Sequence, residues 1–201
     1  MRWTRMVLGG AIGLALTAEV ATAQIPVNYS TTGTFTGFCA ALSCTSGGMK
    51  VTFNPLTNNT IGLDSNNSFY SQLSYGSFTV TGAAANQQSF VGGGFSLTIT
   101  QSTPSAGSQT ISGSFSGGVD GTSSGLRWTP APNMFSIGVI NYRLFAFNGD
   151  VFLQAPSSNT GETTIQGDMG TRSVVPEPST YLLMSAGLAG VLLFARKRRV
   201  S

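Results

Sequence analysis

Short runs in which apolar and polar residues alternate are the feature that most limits what this chain can fold into. The run GFSLTITQ places Phe95, Leu97 and Ile99 on one side of the backbone and Ser or Thr on the other. The runs SFTVTG, MKVTFN, TISGSF and VINYRLFAF have the same pattern. A period of two is that of a β-strand with one buried face. No long helical period appears between residues 24 and 175, which we call the body.

Clusters of Gly, Pro, Asn and Ser separate these runs, as expected of turns between antiparallel strands. Asn148-Gly149 lies between YRLFAF and VFLQA and predicts a two-residue hairpin. We therefore expect a mainly β protein, with an antiparallel β-sandwich or jelly-roll-like body. The exported β-rich domain should span residues 24–154. A last strand at TTIQG and a linker should fill residues 155–175.

The first 23 residues have the order of a secretory signal peptide. Arg2 and Arg5 precede an apolar stretch, which is followed by the small residues Ala21 and Ala23. The stretch has about eleven residues, fewer than the roughly 20 that a spanning helix needs. We predict a signal helix within 1–23 and cleavage by signal peptidase between Ala23 and Gln24, which exports the rest of the chain.

The tail (residues 176–201) has the composition of a single transmembrane anchor. Its segment 181–195 begins at Tyr181, ends at Ala195 and contains no charge. At about 1.5 Å per residue it would form roughly 22 Å of helix, and flanking residues and bilayer thinning can absorb the mismatch with a thicker membrane. Basic residues beside a spanning helix stay on the cytoplasmic side. Four of them end the helix here: Arg196, Lys197, Arg198 and Arg199.

The tripeptide Pro176-Glu177-Pro178 makes the tail more specific than a plain anchor, which remains the simpler alternative. Proline fixes φ and favours extended neighbours, so the tripeptide should be extended directly before the helix. A Pro-Glu-Pro motif, one transmembrane helix and an Arg-rich end, in this order, resemble the PEP-CTERM sorting signal of Gram-negative bacteria. The resemblance covers only the end of the 201-residue chain.

The resemblance implies recognition by an exosortase, a membrane-embedded enzyme similar to cysteine transpeptidases. Pro176, Glu177 and Pro178 would be substrate residues, and the catalytic cysteine would belong to the exosortase. The body would first face the periplasm from the inner membrane. After cleavage near the motif it would reach the cell surface or the medium, often among the exopolysaccharide of a biofilm, which is a candidate partner.

The net charge of +3 comes from the two ends of the chain. The body has four positive residues: Lys50, Arg127, Arg143 and Arg172. It has five negative ones: Asp64, Asp120, Asp150, Glu162 and Asp168. A body with one more negative than positive charge lacks the basic patch that nucleic-acid binding requires. We therefore predict no nucleic-acid partner.

The chain contains no histidine, which excludes Ser-His-Asp and Cys-His catalysis and His-ligated zinc. Residues 121–125 match G-x-S-x-G but lack a base and a strand-turn-helix context, so we expect a loop. The fragment D-x-N-x-S at 64–68 lacks the glycine and glutamate of a calcium loop. We predict no catalytic residue, no cofactor and no metal site.

Cys39 and Cys44 are the two cysteines of the chain. Thiols of an exported protein usually pair, so a disulfide between them is predicted, worth roughly 2 kcal/mol in the chain-entropy model. Two free thiols are the alternative.

The leading functional hypothesis is a non-enzymatic, exported surface or matrix protein that is sorted through its tail and has a structural or adhesive body. A carbohydrate-active enzyme with two carboxylates among the five acidic residues is one alternative. A sugar-binding module is the other, in which Trp128, Tyr70, Tyr75 or Tyr142 would stack on sugar rings.

Overall fold

The computed structural model describes residues 24–64, 71–145, 148–171 and 184–188. Alternating burial along the strands follows the sequence pattern closely. In GFSLTITQ, Phe95, Leu97 and Ile99 are all fully buried. The strands, in chain order, are β1 (Gln24–Gly37), β2 (Ser43–Ser46), β3 (Met49–Asn54), β4 (Asn59–Asp64), β5 (Ser71–Gly82), β6 (Gln88–Ser89), β7 (Gly93–Thr103), β8 (Gly107–Ser116), β9 (Gly118–Val119), β10 (Arg127–Ala131), β11 (Met134–Ile137), β12 (Ile140–Leu144), β13 (Val151–Phe152) and β14 (Glu162–Thr171).

The strands form two six-stranded sheets and one small pair. The first sheet has the order β13-β10-β8-β7-β1-β4, and the second has the order β11-β12-β14-β5-β3-β2. Strands β6 and β9 form the small pair. Every pairing is antiparallel, which confirms the prediction of a mainly β, antiparallel body. The predicted signal helix lies outside the described residues, and so does the predicted transmembrane helix except for 184–188.

An aromatic cluster joins the two sheets. The ring of Phe78, on β5 of the second sheet, lies 4.8 Å from Phe95 and 5.7 Å from Trp128, both on the first sheet. The indole Nε1 of Trp128 donates a hydrogen bond of 3.2 Å to the carbonyl oxygen of Phe95. All three side chains are fully buried, so the cluster contributes apolar burial and edge-to-face contacts together.

Glycines provide the room for these rings. A Cβ atom on Gly113 of β8 would overlap the Nε1 atom of Trp128 and the carbonyl of Thr129. A Cβ atom on Gly33 of β1 would overlap the rings of Phe53 and Phe95. Because interiors are close-packed, a large ring opposite a glycine fills the space that two ordinary side chains would otherwise share.

Buried hydroxyl groups fix the sheets against each other away from the aromatic cluster. Tyr29 of the first sheet donates a hydrogen bond of 2.7 Å to the carbonyl oxygen of Ser74 in the second. Tyr142 of the second sheet donates one of 2.5 Å to Oε1 of Gln101 in the first. The Gln101 amide nitrogen in turn donates to the carbonyl of Ser105 at 2.7 Å. Buried polar groups need such partners, and these bonds favour one alignment of the sheets.

The start of β1 and the end of β14 lie at the same end of the two sheets. Gln24, the first residue of β1, pairs with Asp64, and Tyr29 on the same half of β1 reaches the early part of β5. Thr171, the last residue of β14, pairs with Ile140, next to the pairing of Met169 with the first residue of β5. Strand β1 has 14 residues, so the opposite end of the body lies roughly 40 Å away.

The prediction of a hairpin at Asn148-Gly149 is wrong. Both residues have the positive φ angles of a tight turn, 53° and 90°. However, the preceding strand β12 pairs in the second sheet, whereas β13 pairs with β10 in the first. The turn therefore carries the chain from one sheet to the other, because Val151 finds its partner in Trp128 rather than in β12.

The last strand is longer and more central than the TTIQG prediction. Strand β14 extends from Glu162 to Thr171 and lies between β12 and β5. Ala155, Ile165 and Met169 belong to the buried core. Residues 155–171 are thus part of the folded body, and any linker begins no earlier than residue 172.

We expect Gly113→Ala to lower the free energy of unfolding by about 1–3 kcal/mol, because the added methyl group must displace the Trp128 indole. Urea denaturation of the full chain in detergent micelles, followed by Trp fluorescence, measures the change. Gly121→Ala is the matched control, since its Cβ would meet only the carbonyl oxygen of Ala84 at 3.7 Å. Equal stabilities of the two variants would contradict the packing argument.

Candidate functional site

The predicted sorting motif, Pro176-Glu177-Pro178, lies outside the described residues, and so do Tyr181, Ala195 and the basic end 196–199. Within the predicted spanning segment, residues 184–188 are helical, and the side chains of Met184 and Leu188 are exposed. Among the parts of the chain that the structure describes, no helix has the length and apolar character needed to cross a membrane. The tail follows Thr171, the last residue of β14 and the point at which the body leads into it.

That attachment point is an interior strand. Strand β14 is paired on both sides as far as Met169, which lies opposite Ser71 of β5, and its last two residues pair with β12, where Ile140 lies opposite Thr171. The tail thus continues from a strand that the body holds firmly. No described residue after Thr171 belongs to either sheet.

The predicted signal cleavage site adjoins the other end of the body. Strand β1 begins at Gln24, the residue that follows the predicted cut. Gln24 is exposed and pairs with Asp64 at the end of β4. Ala21 and Ala23 lie outside the described residues, so the cut itself stays a prediction.

Cys39, in the turn after β1, forms a disulfide with Cys44 of β2. Phe38 directly precedes this small loop and is 51% exposed. Leu42 lies within the loop and is 85% exposed. The loop is at the end of the body opposite Gln24 and Thr171, because Gly37 pairs with Gly93 at the far end of β1.

The acidic residues of the body whose side chains are described all have structural partners. Asp150 accepts a hydrogen bond of 2.5 Å from the Thr129 hydroxyl, and Glu162 accepts one of 2.8 Å from the Ser77 hydroxyl. Asp168, which is 1% exposed, forms an ion pair with Arg143. No three potential metal-ligating side chains come together within the described ranges.

Asp120 organises the loop that matches G-x-S-x-G. Its Oδ1 atom accepts hydrogen bonds of 2.7 Å from the backbone N–H groups of Thr122 and Ser123. The Ser123 hydroxyl donates to Oδ2 at 2.8 Å. These bonds, led by that of the Thr122 backbone, lower the pKa of Asp120 to about 2. The segment joins β9 to β10, so Ser123 is part of an ordered turn between strands and lacks the helix of a nucleophile elbow.

Three of the four aromatic residues that the sugar-binding alternative would use are core residues instead. Trp128 and Tyr75 are fully buried, and Tyr142 is 1% exposed. Burial also raises the pKa of Tyr75 and Tyr142, so neither phenol ionises readily. Tyr70 and residues 65–68 of the calcium-like fragment lie outside the described residues.

The outer face of the second sheet contains a cleft that sequence reasoning missed. Two adjoining depressions, of about 290 and 230 Å³, follow β11, β12, β14 and β5 across the sheet. Arg143 lines the first and Phe145 lines the second, and the guanidinium carbon lies 5.4 Å from the centre of the Phe145 ring. We call these two depressions the outer cleft.

An ion pair forms the floor of the outer cleft. The Nε atom of Arg143 donates to Oδ1 of Asp168 at 3.2 Å, and Nη2 donates to Oδ2. On the opposite, inward face of the sheet, the ring of Phe135 stacks on Tyr142 with 5.1 Å between centres. The alternation of VINYRLFAF places Arg143 on the face opposite Tyr142, but only the pairing of β12 with β14 brings Asp168 next to it.

Comparison with known families finds a match in the tail. Residues 174–199 match the model of the PEP-CTERM protein-sorting motif. This confirms the resemblance of the tail and implies export and cell-surface sorting in bacteria, with processing by an exosortase. No curated protein matches the chain, and no solved structure does either.

We expect the Asp120 carboxyl to titrate with a midpoint near pH 2, below its ordinary value of 3.8. The pKa of Asp120 is lower in the folded chain than in the unfolded chain. The contribution of the ionised carboxylate to stability is therefore complete above a pH of about 3.8 and is lost as the pH falls through about 2. Carbon-detected NMR of the side chain measures the midpoint. Ser123→Ala should raise it, whereas Ser124→Ala, which removes a hydroxyl that does not contact Asp120, should leave it unchanged. An unchanged midpoint in Ser123→Ala would contradict the assignment.

Proposed function

We propose that this chain is a non-enzymatic surface or matrix protein of a Gram-negative bacterium, which an exosortase releases from its membrane anchor. The observation that carries the proposal is the PEP-CTERM match at residues 174–199. Two residues separate the end of β14, an interior strand of its sheet, from the start of the match, so a folded body is joined directly to the sorting signal.

The proposed membrane topology follows from the basic residues at the two ends of the chain. A cleaved signal peptide before Gln24 would place the body in the periplasm. The segment 181–195 would then cross the inner membrane, with Arg196 to Arg199 in the cytoplasm. The start of β1 and the end of β14 lie at the same end of the two sheets. This arrangement suits a body that is attached to the membrane at that end, with the Cys39–Cys44 loop at the opposite end, away from the membrane.

The connection between body and motif is short. Four residues separate Thr171 from Pro176. Five fully extended steps span at most about 18 Å. An exosortase that cuts at the motif would therefore work close beneath the folded body, and the cut would remove no strand.

The proposal of a non-catalytic body is supported by the hydrogen bonds and ion pairs that the acidic side chains form within the protein. A glycosidase needs one carboxylic acid with a raised pKa. Asp120 has a lowered pKa, and Asp168 is held by a bidentate ion pair. Among the acidic side chains that the structure describes, these engaged groups do not form a reacting carboxylate pair, so we assign a structural or adhesive role to the body.

Replacing Pro176-Glu177-Pro178 by Ala-Ala-Ala should abolish processing of the tail in a native host that has an exosortase. The wild type should yield a product without the tail in the surface or extracellular fraction, because the enzyme recognises the motif. The variant should keep residues 181–201 and stay in the membrane. Intact mass spectrometry of both fractions reports each outcome, and retention of the tail in both proteins would show a simple anchor.

Deleting residues 172–175 should also block processing, since the motif would then follow Thr171 directly and lie against the paired end of β14. Replacing the same four residues by Gly-Ser-Gly-Ser keeps the length and should leave cleavage intact. The fraction of tail-free chain, measured by mass, is compared in the two variants. Efficient cleavage of the deletion variant would show that the spacing is irrelevant.

A further inference from the structure

The outer cleft combines a row of polar side chains with an exposed aromatic ring. Directly paired residues of antiparallel strands point to the same face, and Arg143, Asp168 and Gln72 form one such row across β12, β14 and β5. The ring of Phe145 lies beside this row and is 39% exposed. This row of the cleft therefore crosses three of its four strands, with an exposed ring beside it.

The cleft is electrically balanced. Its cation, Arg143, is engaged by the carboxylate of Asp168 and by the ring of Phe145. The other polar side chains that line it are amides and hydroxyls: Gln72, Ser74, Ser136, Asn141, Thr164 and Gln166. A phosphate or a polyanion would need a cation without such an anionic partner, so the balance favours an uncharged ligand.

Several of these polar groups are available to a ligand. Within the described part of the chain, the side chains of Gln72, Thr164 and Gln166 make no hydrogen bond, and all three are exposed. The Ser136 hydroxyl donates to Oδ1 of Asn141 at 2.7 Å, which orients the Asn141 amide. Amides and hydroxyls both donate and accept, as do the hydroxyl groups of sugars.

We propose that the outer cleft binds a neutral polysaccharide, an inference that deepens the adhesive role under the proposed function and rests on it. The Phe145 ring would pack on the C–H face of one sugar residue. Gln72, Gln166 and Thr164 on one side, and Asn141 on the other, would bind hydroxyl groups of the neighbouring residues. The two depressions together reach the size of ordinary ligand pockets, roughly 300–1,000 Å³, and their open ends let a polymer continue past the site.

The proposal also explains why the aromatic residues expected from the sequence are not the contacts. Trp128 holds the sheets together from inside. Phe145 is on the outer side, since it is two residues from Arg143 and contacts its guanidinium. An exposed aromatic ring that anchors a ligand is a typical contributor to binding energy.

Affinity electrophoresis of the full chain in detergent tests the proposal. The gels contain hydroxyethyl cellulose, galactomannan or alginate, the last as an anionic polymer. At least one neutral polymer should retard the wild type. Phe145→Ala should weaken the retardation constant by at least about fivefold, and Gln166→Ala should weaken it as well.

Phe152→Ala is the matched control. Phe152 is 43% exposed on β13 of the other sheet, so its removal should change the constant by less than about twofold. Thermal unfolding of each variant verifies folding, and Gln166→Ala keeps the test informative if Phe145→Ala is unstable.

Three outcomes would overturn the proposal: no retardation by a neutral polymer, retardation by alginate alone, or equal losses in Phe145→Ala and Phe152→Ala. Because binding is measured on the chain with its tail, it does not depend on an exosortase. Failure to bind with normal processing refutes the polysaccharide site alone, whereas failure of processing with normal binding refutes the proposed sorting.

Discussion

The contact of Phe78 with Phe95 and Trp128 is the interaction on which the rest of the structure depends. It is where the second sheet meets the first over a dry, fully buried area, and the indole N–H is satisfied within it by the Phe95 carbonyl. The rings are large, so a neighbouring strand of the same sheet needs glycine at a position such as Gly113 of β8. Since these rings are fully buried, they are not accessible to a ligand.

The position of the last strand connects this packing to sorting. Strand β14 lies between β12 and β5, and its buried residues Ile165 and Met169 belong to the core. It ends at Thr171, before the PEP-CTERM match begins. A cut at the motif would therefore leave both sheets complete, because no described residue after Thr171 belongs to a strand or to the buried core. A body built in this way can be displayed, released or retained without refolding.

The alternation of apolar and polar residues predicted those strands whose inward-facing side chains are large and apolar. Phe95, Leu97 and Ile99 reveal β7 directly, whereas β1 has Thr31 and Gly33 at inward positions, which weakens the alternation. The Asn148-Gly149 signal predicted the turn correctly but not the partners of its strands, because turn chemistry specifies backbone angles and the pairing of Val151 depends on Trp128.

Among the candidate sites, the tail motif could be predicted from the sequence because its three parts are contiguous in the chain. The outer cleft could not be predicted, because Gln72, Arg143 and Asp168 are distant in sequence.

By itself, the sequence determined the sorting signal and the β class of the body. The sorting signal is recognisable because its parts follow one another in the chain, and a period of two specifies which side chains share a face. Only the tertiary structure decided which strands are neighbours, that Trp128 lies inside and Phe145 outside, and that both ends of the body lie on one side. The physical reason is that strand pairing and sheet packing are long-range: backbone hydrogen bonds form between any two extended segments, and the fit of rings against glycines across the core selects among them.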